Sequence, residues 1–253
     1  MYFATSEARP NEKLVRSCLT GSTCYTLFMA IRKISFASHE FYHVYNRGNS
    51  KQKIFHDTQD YKHFVNLLYI ANTLEKFNLY DLFQSSNFQI YNFDRKDTLV
   101  HIGAYALMPN HFHVLLTEAQ DGGISKFMQK LGTAYAMYYN QKYDRTGSLF
   151  EGKFKARHTD SDPYLKYTFS YIHLNPVKLI QNDWKKDGIK NKKQALDFLQ
   201  KYEYSSYFDF LGVERLQSKV LSKEAFPRYF PKKEHFQKEI FDWLSFGENI
   251  IEV

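Results

Sequence analysis

The chain has 253 residues, of which 43% are hydrophobic, so it is long enough for one domain with appendages and is not disordered throughout. The net charge of +7 and the pI near 9.1 favour a polyanionic partner, although many basic proteins bind none. The two cysteines are Cys18 and Cys24, so the remaining chain has neither a disulfide framework nor a cysteine metal site. No apolar run reaches the length of about 18 residues that a transmembrane helix needs.

The N-terminal region differs from the rest of the chain. Its first 28 residues are polar and aperiodic, and the apolar run at 25–30 is too short for a signal peptide. We interpret residues 1–35 as an extension, with Met29 as the native start. The expected location is the cytoplasm.

The first predicted elements are a strand and a helix. Residues 41–45 alternate as in a strand, which Asn46-Arg47-Gly48-Asn49 ends. Apolar residues then recur at helical spacing from Tyr61 to Leu74, after Asp57 and Thr58 as candidate N-caps. Residues 79–97 are predicted to form an irregular insertion or a short hairpin.

A strand pair and a second helix follow. Residues 100–107 and 111–117 are predicted strands, and Met108-Pro109-Asn110 between them supplies turn residues for an antiparallel pair. After Gly122-Gly123, apolar residues at helical spacing predict a helix that ends at residues 144–147. Residues 149–157 are then predicted to form a short basic strand.

The third helix is predicted between Asp162, as N-cap, and Asn175. Pro163 suits the first helical position, and Pro176 disfavours helical geometry at the residue before it. The order of elements predicts an α+β domain with a mainly antiparallel sheet over residues 36–180. Residues 181–253 are predicted to be a basic and aromatic extension, with a docking segment at 202–211 and a final helix at 233–244.

His111 and His113 lie two residues apart on a predicted strand, so both imidazoles face the same side of the sheet. Two neighbouring imidazoles make half of a divalent-metal site, and added oxygen ligands would suit Mg²⁺ or Mn²⁺ chemistry on phosphate. The pattern also fits two ordinary strand histidines. Zinc is a further alternative, which would need histidine or carboxylate for every other ligand.

The third helix carries Tyr164, Tyr167, Tyr171 and Asn175 away from its apolar stripe. Tyr171 and Asn175 are one turn apart, so the amide oxygen of Asn175 can reach a metal while Tyr171 presents a phenol beside it. Spacing alone does not favour Tyr171 over Tyr164 or Tyr167 as a nucleophile.

Three motifs together resemble the single-tyrosine HUH transposases, and the closest branch is that of the REP-associated tyrosine transposases. The resemblance spans roughly residues 36–180 plus the segment near Tyr204-Ser205-Ser206-Tyr207. The motifs are Tyr42-His43-Val44-Tyr45-Asn46-Arg47-Gly48, Met108-Pro109-Asn110-His111-Phe112-His113-Val114-Leu115, and Tyr171-Ile172-His173-Leu174-Asn175-Pro176-Val177-Lys178.

The resemblance implies a ferredoxin-like α+β fold and a specific chemistry. It implies that His111 and His113 bind Mg²⁺ or Mn²⁺, with Asn175 as third ligand and Tyr171 as nucleophile. Members of this family attack single-stranded DNA near hairpin-forming ends and leave a 5′-phosphotyrosine with a free 3′-OH. Some relatives are dimers that exchange tyrosine helices, whereas the REP-associated branch is associated with monomers. The resemblance assigns no role to His173.

A basic, aromatic-rich surface would hold a DNA strand by phosphate contacts and base stacking. The candidate residues for this role are Arg47, Lys153, Lys155, Arg157, Lys178, Lys185 and Lys186. Two other functions stay open at this point. One is a non-catalytic nucleic-acid binder on a ferredoxin-like sheet, and the other is a metal-dependent phosphodiesterase without a covalent intermediate.

Overall fold

An antiparallel four-stranded sheet lies at the centre of the protein, in a computed structural model that describes residues 35–75 and 89–245. Its strands run in the order β2-β3-β1-β4. They are β1 (Phe41–Arg47), β2 (Val100–Met108), β3 (His111–Glu118) and β4 (Lys155–His158).

Helix α1 (Thr58–Ile70) connects β1 to β2, and helix α2 (Gly123–Lys142) connects β3 to β4. This βαββαβ order with its antiparallel sheet is the ferredoxin-like α+β fold that the sequence predicts. The helices after β4 are α3 (Asp162–Leu174), α4 (Trp184–Asp187), α5 (Lys192–Leu199), α6 (Tyr207–Phe210) and α7 (Lys233–Ser245).

Several predictions concern residues that the structure does not describe. The proposed native start at Met29 and the extension before Ser35 lie outside the described residues, as do residues 76–88 of the predicted insertion. Residues 90–92 of that insertion form a 3₁₀ turn. Within the described ranges, no helix has both the length and the hydrophobicity needed to cross a bilayer.

The two faces of the sheet differ because side chains alternate along each strand. One face is apolar: Val44, Phe112 and Val114 are buried there beneath α1 and α2, and the rings of Phe64 and Phe112 lie 4.9 Å apart. The opposite face carries the histidines of β1 and β3. The polar site therefore lies on the face away from α1 and α2.

Helix α3 packs on this second face against β2 and β3 through its apolar stripe. Leu165, Phe169 and Ile172 are buried in one cluster with Ala104, Ala106 and Leu115 of the strands. The alanines leave room for a close approach of the helix backbone. This contact places the tyrosine side of α3 beside the histidines.

The C-terminal extension docks on the outer edge of β2 through the segment at 202–211 that was predicted to dock. The N–H of Leu107 donates to the carbonyl of Tyr204 at 2.9 Å, and the N–H of Ser206 donates to the carbonyl of Tyr105 at 2.9 Å. These bonds satisfy backbone groups that an edge strand would otherwise expose.

His173, to which sequence assigns no role, ties α3 to this docked segment. Its Nδ1–H donates to the carbonyl of Phe169 at 2.8 Å, so its Nε2 accepts from the hydroxyl of Ser206 at 2.7 Å. Burial lowers the pKa of His173 to about 3, which keeps the ring neutral. His173 is a structural residue of the fold.

Two predicted boundaries are wrong and two are confirmed. The N-cap of α3 is Ser161, with Asp162 as the first helical residue, and β4 begins only at Lys155 because Gly152 adopts a φ of 129° that ends extended pairing. Asp57 is the N-cap of α1, since its side chain accepts from the N–H of Asp60. The terminal helix lies where it was predicted.

Asp60 joins the start of α1 to the end of α2. Its fully buried carboxylate accepts hydrogen bonds from Lys142 Nζ at 2.7 Å, Tyr143 Oη at 2.7 Å and Tyr138 Oη at 3.0 Å. Burial raises the pKa of Asp60, but these bonds and the N–H of His56 outweigh that effect and hold the pKa below its ordinary value. The charged form is therefore stabilised by folding.

We expect Asp60→Asn to lower the free energy of unfolding by about 2 kcal/mol at pH 7, because the buried groups lose a charged acceptor while Lys142 keeps its exposed partner Asp57. The loss should shrink as the pH falls through the folded pKa of Asp60, where the native carboxylate itself becomes neutral. Urea titrations at several pH values measure both effects. Lys238→Ala, which breaks only the exposed pair with Asp242, is the control and should cost nothing measurable. An equal loss in the two variants would contradict the prediction.

Candidate active site

His111 and His113 project from β3 onto the face that carries α3, as predicted. Their ring centroids lie 5.0 Å apart at nearly right angles. His111 Nδ1 lies 2.6 Å from Asn110 Oδ1, and the amide of Asn110 is oriented by its Nδ2, which donates to the carbonyl of Lys51. The Nδ1 of His111 is therefore protonated, and its Nε2 carries the lone pair.

His43 on β1 is a residue of this site that sequence reasoning did not assign. Its Nε2 lies 2.8 Å from the Nδ1 of His113, and the two rings stack with centroids 4.9 Å apart. Both side chains are only 6% exposed, so this contact is shielded from water. The signal in the sequence was the alternation His43, Tyr45 along β1, but using it requires the pairing of β1 with β3.

Tyr171 is the tyrosine of α3 that lies against the histidines. Its ring centroid is 5.7 Å from that of His113 and 5.7 Å from that of His43, edge-on in both cases. Tyr167 stacks on the side of Tyr171, and Tyr164 stacks in turn on Tyr167. The structure thus makes a distinction between the three tyrosines that helical spacing could not make.

Asn175 lies one turn beyond Tyr171, at the end of α3. It is fully buried, and its Nδ2 donates to the carbonyl of Tyr171 at 3.4 Å. Its Oδ1 accepts no hydrogen bond from any residue in the described part of the chain. Such a buried acceptor is costly unless another group satisfies it.

The electrostatic environment of His111 is positive. Burial, together with the nearby charges of Lys178 and Arg47, lowers the pKa of His111 to about 4. Both cations were predicted DNA contacts, and the structure brings both of them to the histidine pair. The imidazole is neutral near neutral pH, which is the form that binds a metal ion.

Arg47 is held in place by Glu151. The guanidinium forms a two-pronged ion pair with the carboxylate, and one prong, from Nη2 to Oε1, measures 2.8 Å. Arg47 also lies directly opposite His111 in the pairing of β1 with β3. This fixes a positive charge at the edge of the histidine pair.

The other predicted DNA contacts divide into two groups. Lys155 and Arg157 lie on β4, opposite Tyr45 and His43, and so belong to the face of the site, while Lys153 is exposed just before that strand. Lys186 is exposed on the short helix α4, and the side chain of Lys185 lies outside the described residues.

The third imidazole near this pair, that of His43, has its Nε2 against the Nδ1 of His113. In the described ranges, no three side chains of histidine, cysteine, aspartate or glutamate come together as a metal cluster.

Comparison with known proteins identifies the family. A family model described as "Transposase IS200 like" matches residues 38–175, more than half of the chain. The chain belongs to the IS200-like transposase family. It is therefore a transposase-family protein, of a class that acts on DNA, and the family membership that the motifs predicted is confirmed. The matched span contains His111, His113, Tyr171 and Asn175.

Two further comparisons were made. No curated protein sequence matches the chain significantly. Among solved structures, the chain is similar to a REP-associated tyrosine transposase bound to a REP hairpin, with 12% identity and a TM-score of 0.42. That match covers 75% of this chain and 90% of the other.

We expect the imidazole of His111 in the metal-free protein to remain neutral down to about pH 5, because burial and two cations oppose its protonation. Nuclear magnetic resonance of the histidine rings measures this titration directly. Lys178→Ala should raise the pKa of His111, since it removes a positive neighbour, but the pKa should stay below the ordinary value of about 6.5 because the ring is still buried. An ordinary pKa in the unaltered protein would contradict the prediction.

Proposed function

We propose that the protein is a single-tyrosine HUH transposase that cleaves and rejoins single-stranded DNA through a 5′-phosphotyrosine at Tyr171. The observation that carries the proposal is the contact of the Tyr171 ring with His113, one turn away from the buried Oδ1 of Asn175. The phenol of Tyr171 lies against one imidazole of the pair, and the unsatisfied oxygen follows one turn later on the same helix, which supports this assignment. The membership of the IS200-like family supports the same chemistry.

The residues present fit a divalent cation. The Nε2 atom of His111 carries a lone pair, and the Oδ1 atom of Asn175 is an acceptor in need of a partner. Imidazole and amide donors suit Mn²⁺, and Mg²⁺ when water and phosphate supply most of its ligands. We propose that His111, His113 and Asn175 hold Mg²⁺ or Mn²⁺. Such an ion neutralises charge on the scissile phosphate.

His43 would act through His113 rather than on the substrate. If His113 uses its Nε2 toward the cation, its Nδ1–H donates to the Nε2 of His43 across the observed 2.8 Å. That bond fixes both the tautomer and the ring orientation of the ligand, as partners of metal-bound histidines commonly do. His43 is thus proposed as a positioning residue.

The proposed reaction is a displacement at phosphorus by the Tyr171 oxygen. A bond forms between that oxygen and the phosphorus, the bond from phosphorus to the 3′ oxygen breaks, and the proton lost by the phenol is balanced by the proton gained at the 3′ oxygen. The product is a 5′-phosphotyrosine with a free 3′-OH. The reverse attack by a 3′-OH rejoins the strand and releases Tyr171.

The proposed substrate is single-stranded DNA near a hairpin or palindromic end. Lys178 and Arg47 lie close enough to His111 to lower its pKa, and the charge of Arg47 is partly offset by Glu151, so Lys178 is the main candidate contact to the scissile phosphate. Lys155 and Arg157 extend the basic character along β4, with Lys153 just before that strand, and Lys185 and Lys186 are further proposed DNA contacts. Because Tyr171 and His113 of one chain are already in contact, a monomer is sufficient for the proposed chemistry, and a homodimer with exchanged helices is not required.

We expect Tyr171→Phe to abolish the covalent adduct with a hairpin-bearing single-stranded oligonucleotide in the presence of Mn²⁺, because the attacking oxygen is gone. Binding should stay within about threefold, since the ring and its contacts remain. A denaturing gel detects the adduct. Tyr167→Phe is the matched control and should still form it. An adduct that persists in Tyr171→Phe would refute this nucleophile, and binding without any adduct in the unaltered protein would favour a non-catalytic binder.

Asn175→Ala should weaken Mn²⁺ binding by roughly 10- to 100-fold, because it removes a ligand oxygen that has no other partner. Calorimetry with Mn²⁺ and no DNA measures the affinity independently of cleavage. Asn46→Ala is the control: Asn46 is on β1, but its amide donates to the carbonyl of Gly152. Equal affinities in the two variants would exclude Asn175 as a ligand.

A further inference from the structure

The three tyrosines of α3 form a continuous stack that leads away from the histidines. Tyr171 and Tyr167 have ring centroids 5.9 Å apart at 22°, and Tyr167 and Tyr164 have centroids 5.9 Å apart at 15°. The positions 164, 167 and 171 share one helix face because they are three and four residues apart. The stack therefore begins at the proposed nucleophile and extends about two turns of the helix toward its N-terminus.

Arg157 connects the outer end of this stack to the sheet. Burial lowers the pKa of Arg157, but the hydroxyls of Tyr164 and Tyr45 beside the guanidinium outweigh that effect and raise it. Tyr45 in turn packs on His113, with ring centroids 5.9 Å apart. Arg157 lies opposite His43 in the pairing of β4 with β1, so its guanidinium belongs to the same face of the sheet as Tyr45 and the histidines.

The tyrosine stack and Arg157 are not part of the buried core. The apolar stripe of α3, with Leu165 and Phe169, is buried against the sheet, whereas Tyr164, Tyr167 and Arg157 are each partly exposed. The neighbouring Lys155 is exposed and lies directly opposite Tyr45. Aromatic rings at the surface with two cations beside them have the composition of a single-strand binding groove.

We propose that Tyr164, Tyr167, Arg157 and Tyr45 form a subsite for a nucleotide that flanks the scissile phosphate, with its base stacked on the outer tyrosine and its phosphate on Arg157. The inference rests on the proposed function, because the subsite flanks the scissile phosphate only if Tyr171, at the inner end of the stack, is the nucleophile. It adds three tyrosines and one arginine as determinants of substrate binding. Stacking of this kind tolerates any base, since every base has an aromatic face.

The test compares two ligands of equal length and charge in the Tyr171→Phe background, so that no cleavage occurs. One is an eight-nucleotide oligothymidine and the other is an abasic oligomer of eight units. Tyr164→Leu should weaken binding of the oligothymidine by at least about fivefold and leave the abasic oligomer within twofold, because only the former stacks. Tyr164→Phe should bind both ligands nearly as the parent does.

Arg157→Gln separates the phosphate contact from stacking. It should weaken both ligands equally and reduce the dependence of binding on salt concentration by about one unit of slope, as expected for one lost phosphate contact. Tyr229→Leu is the matched control for the loss of a ring: Tyr229 bonds to Asp162 at the same end of α3 but packs on Phe169, on the apolar side. It should change neither affinity.

The outcomes separate this inference from the proposed function. If Tyr164→Leu binds both ligands like the parent, or weakens both equally, the stacking subsite is wrong, whether or not Tyr171 forms an adduct. Tyr164→Leu can weaken oligothymidine binding selectively even if the protein that retains Tyr171 forms no adduct. In that case the subsite is supported and the proposed cleavage is wrong. Thermal unfolding of each variant, together with the base-independent binding of the abasic oligomer, reports that the protein remains folded.

Discussion

The packing of α3 on β2 and β3 is the contact on which the whole candidate site depends. The apolar stripe of α3 packs on Ala104 and Ala106 of β2 through Leu165, Phe169 and Ile172. Because alanine is small, the helix approaches the sheet closely, and this contact determines the direction of its opposite side. Tyr171 reaches His113 only because the helix is fixed at this depth and rotation. Remote packing residues thus control the geometry of the proposed chemistry, which tolerates little displacement.

The C-terminal extension supports this arrangement from outside the sheet. Its segment at Tyr204 and Ser206 bonds to the free edge of β2, and Ser206 also holds the buried imidazole of His173 on α3. Neutral, fully hydrogen-bonded groups of this kind stabilise a unique orientation without adding a buried charge. The extension is therefore part of the framework of the site, although it contributes none of the proposed metal ligands.

The face of the sheet that carries the histidines is more buried on its β2 side than on its β4 side. Toward β2 the face is covered and apolar, which favours precise positioning of Tyr171 and Asn175. Toward β4 it is partly exposed, aromatic and basic, which suits a long flexible polyanion. The histidines lie between the two sides. The scissile phosphate of the proposed substrate would lie there while the rest of the DNA strand stays in contact with solvent.

The sequence by itself determined the order of elements, the shared face of His111 and His113, and the pairing of Tyr171 with Asn175 along one helix, because these follow from the periods of strands and helices. Family motifs added the expected role of each residue. Only the tertiary structure placed the ring of Tyr171 against His113, joined His43 to His113 and revealed the buried role of His173. Those features depend on strand register and on the rotation of α3 about its axis, which long-range packing decides and local sequence does not encode.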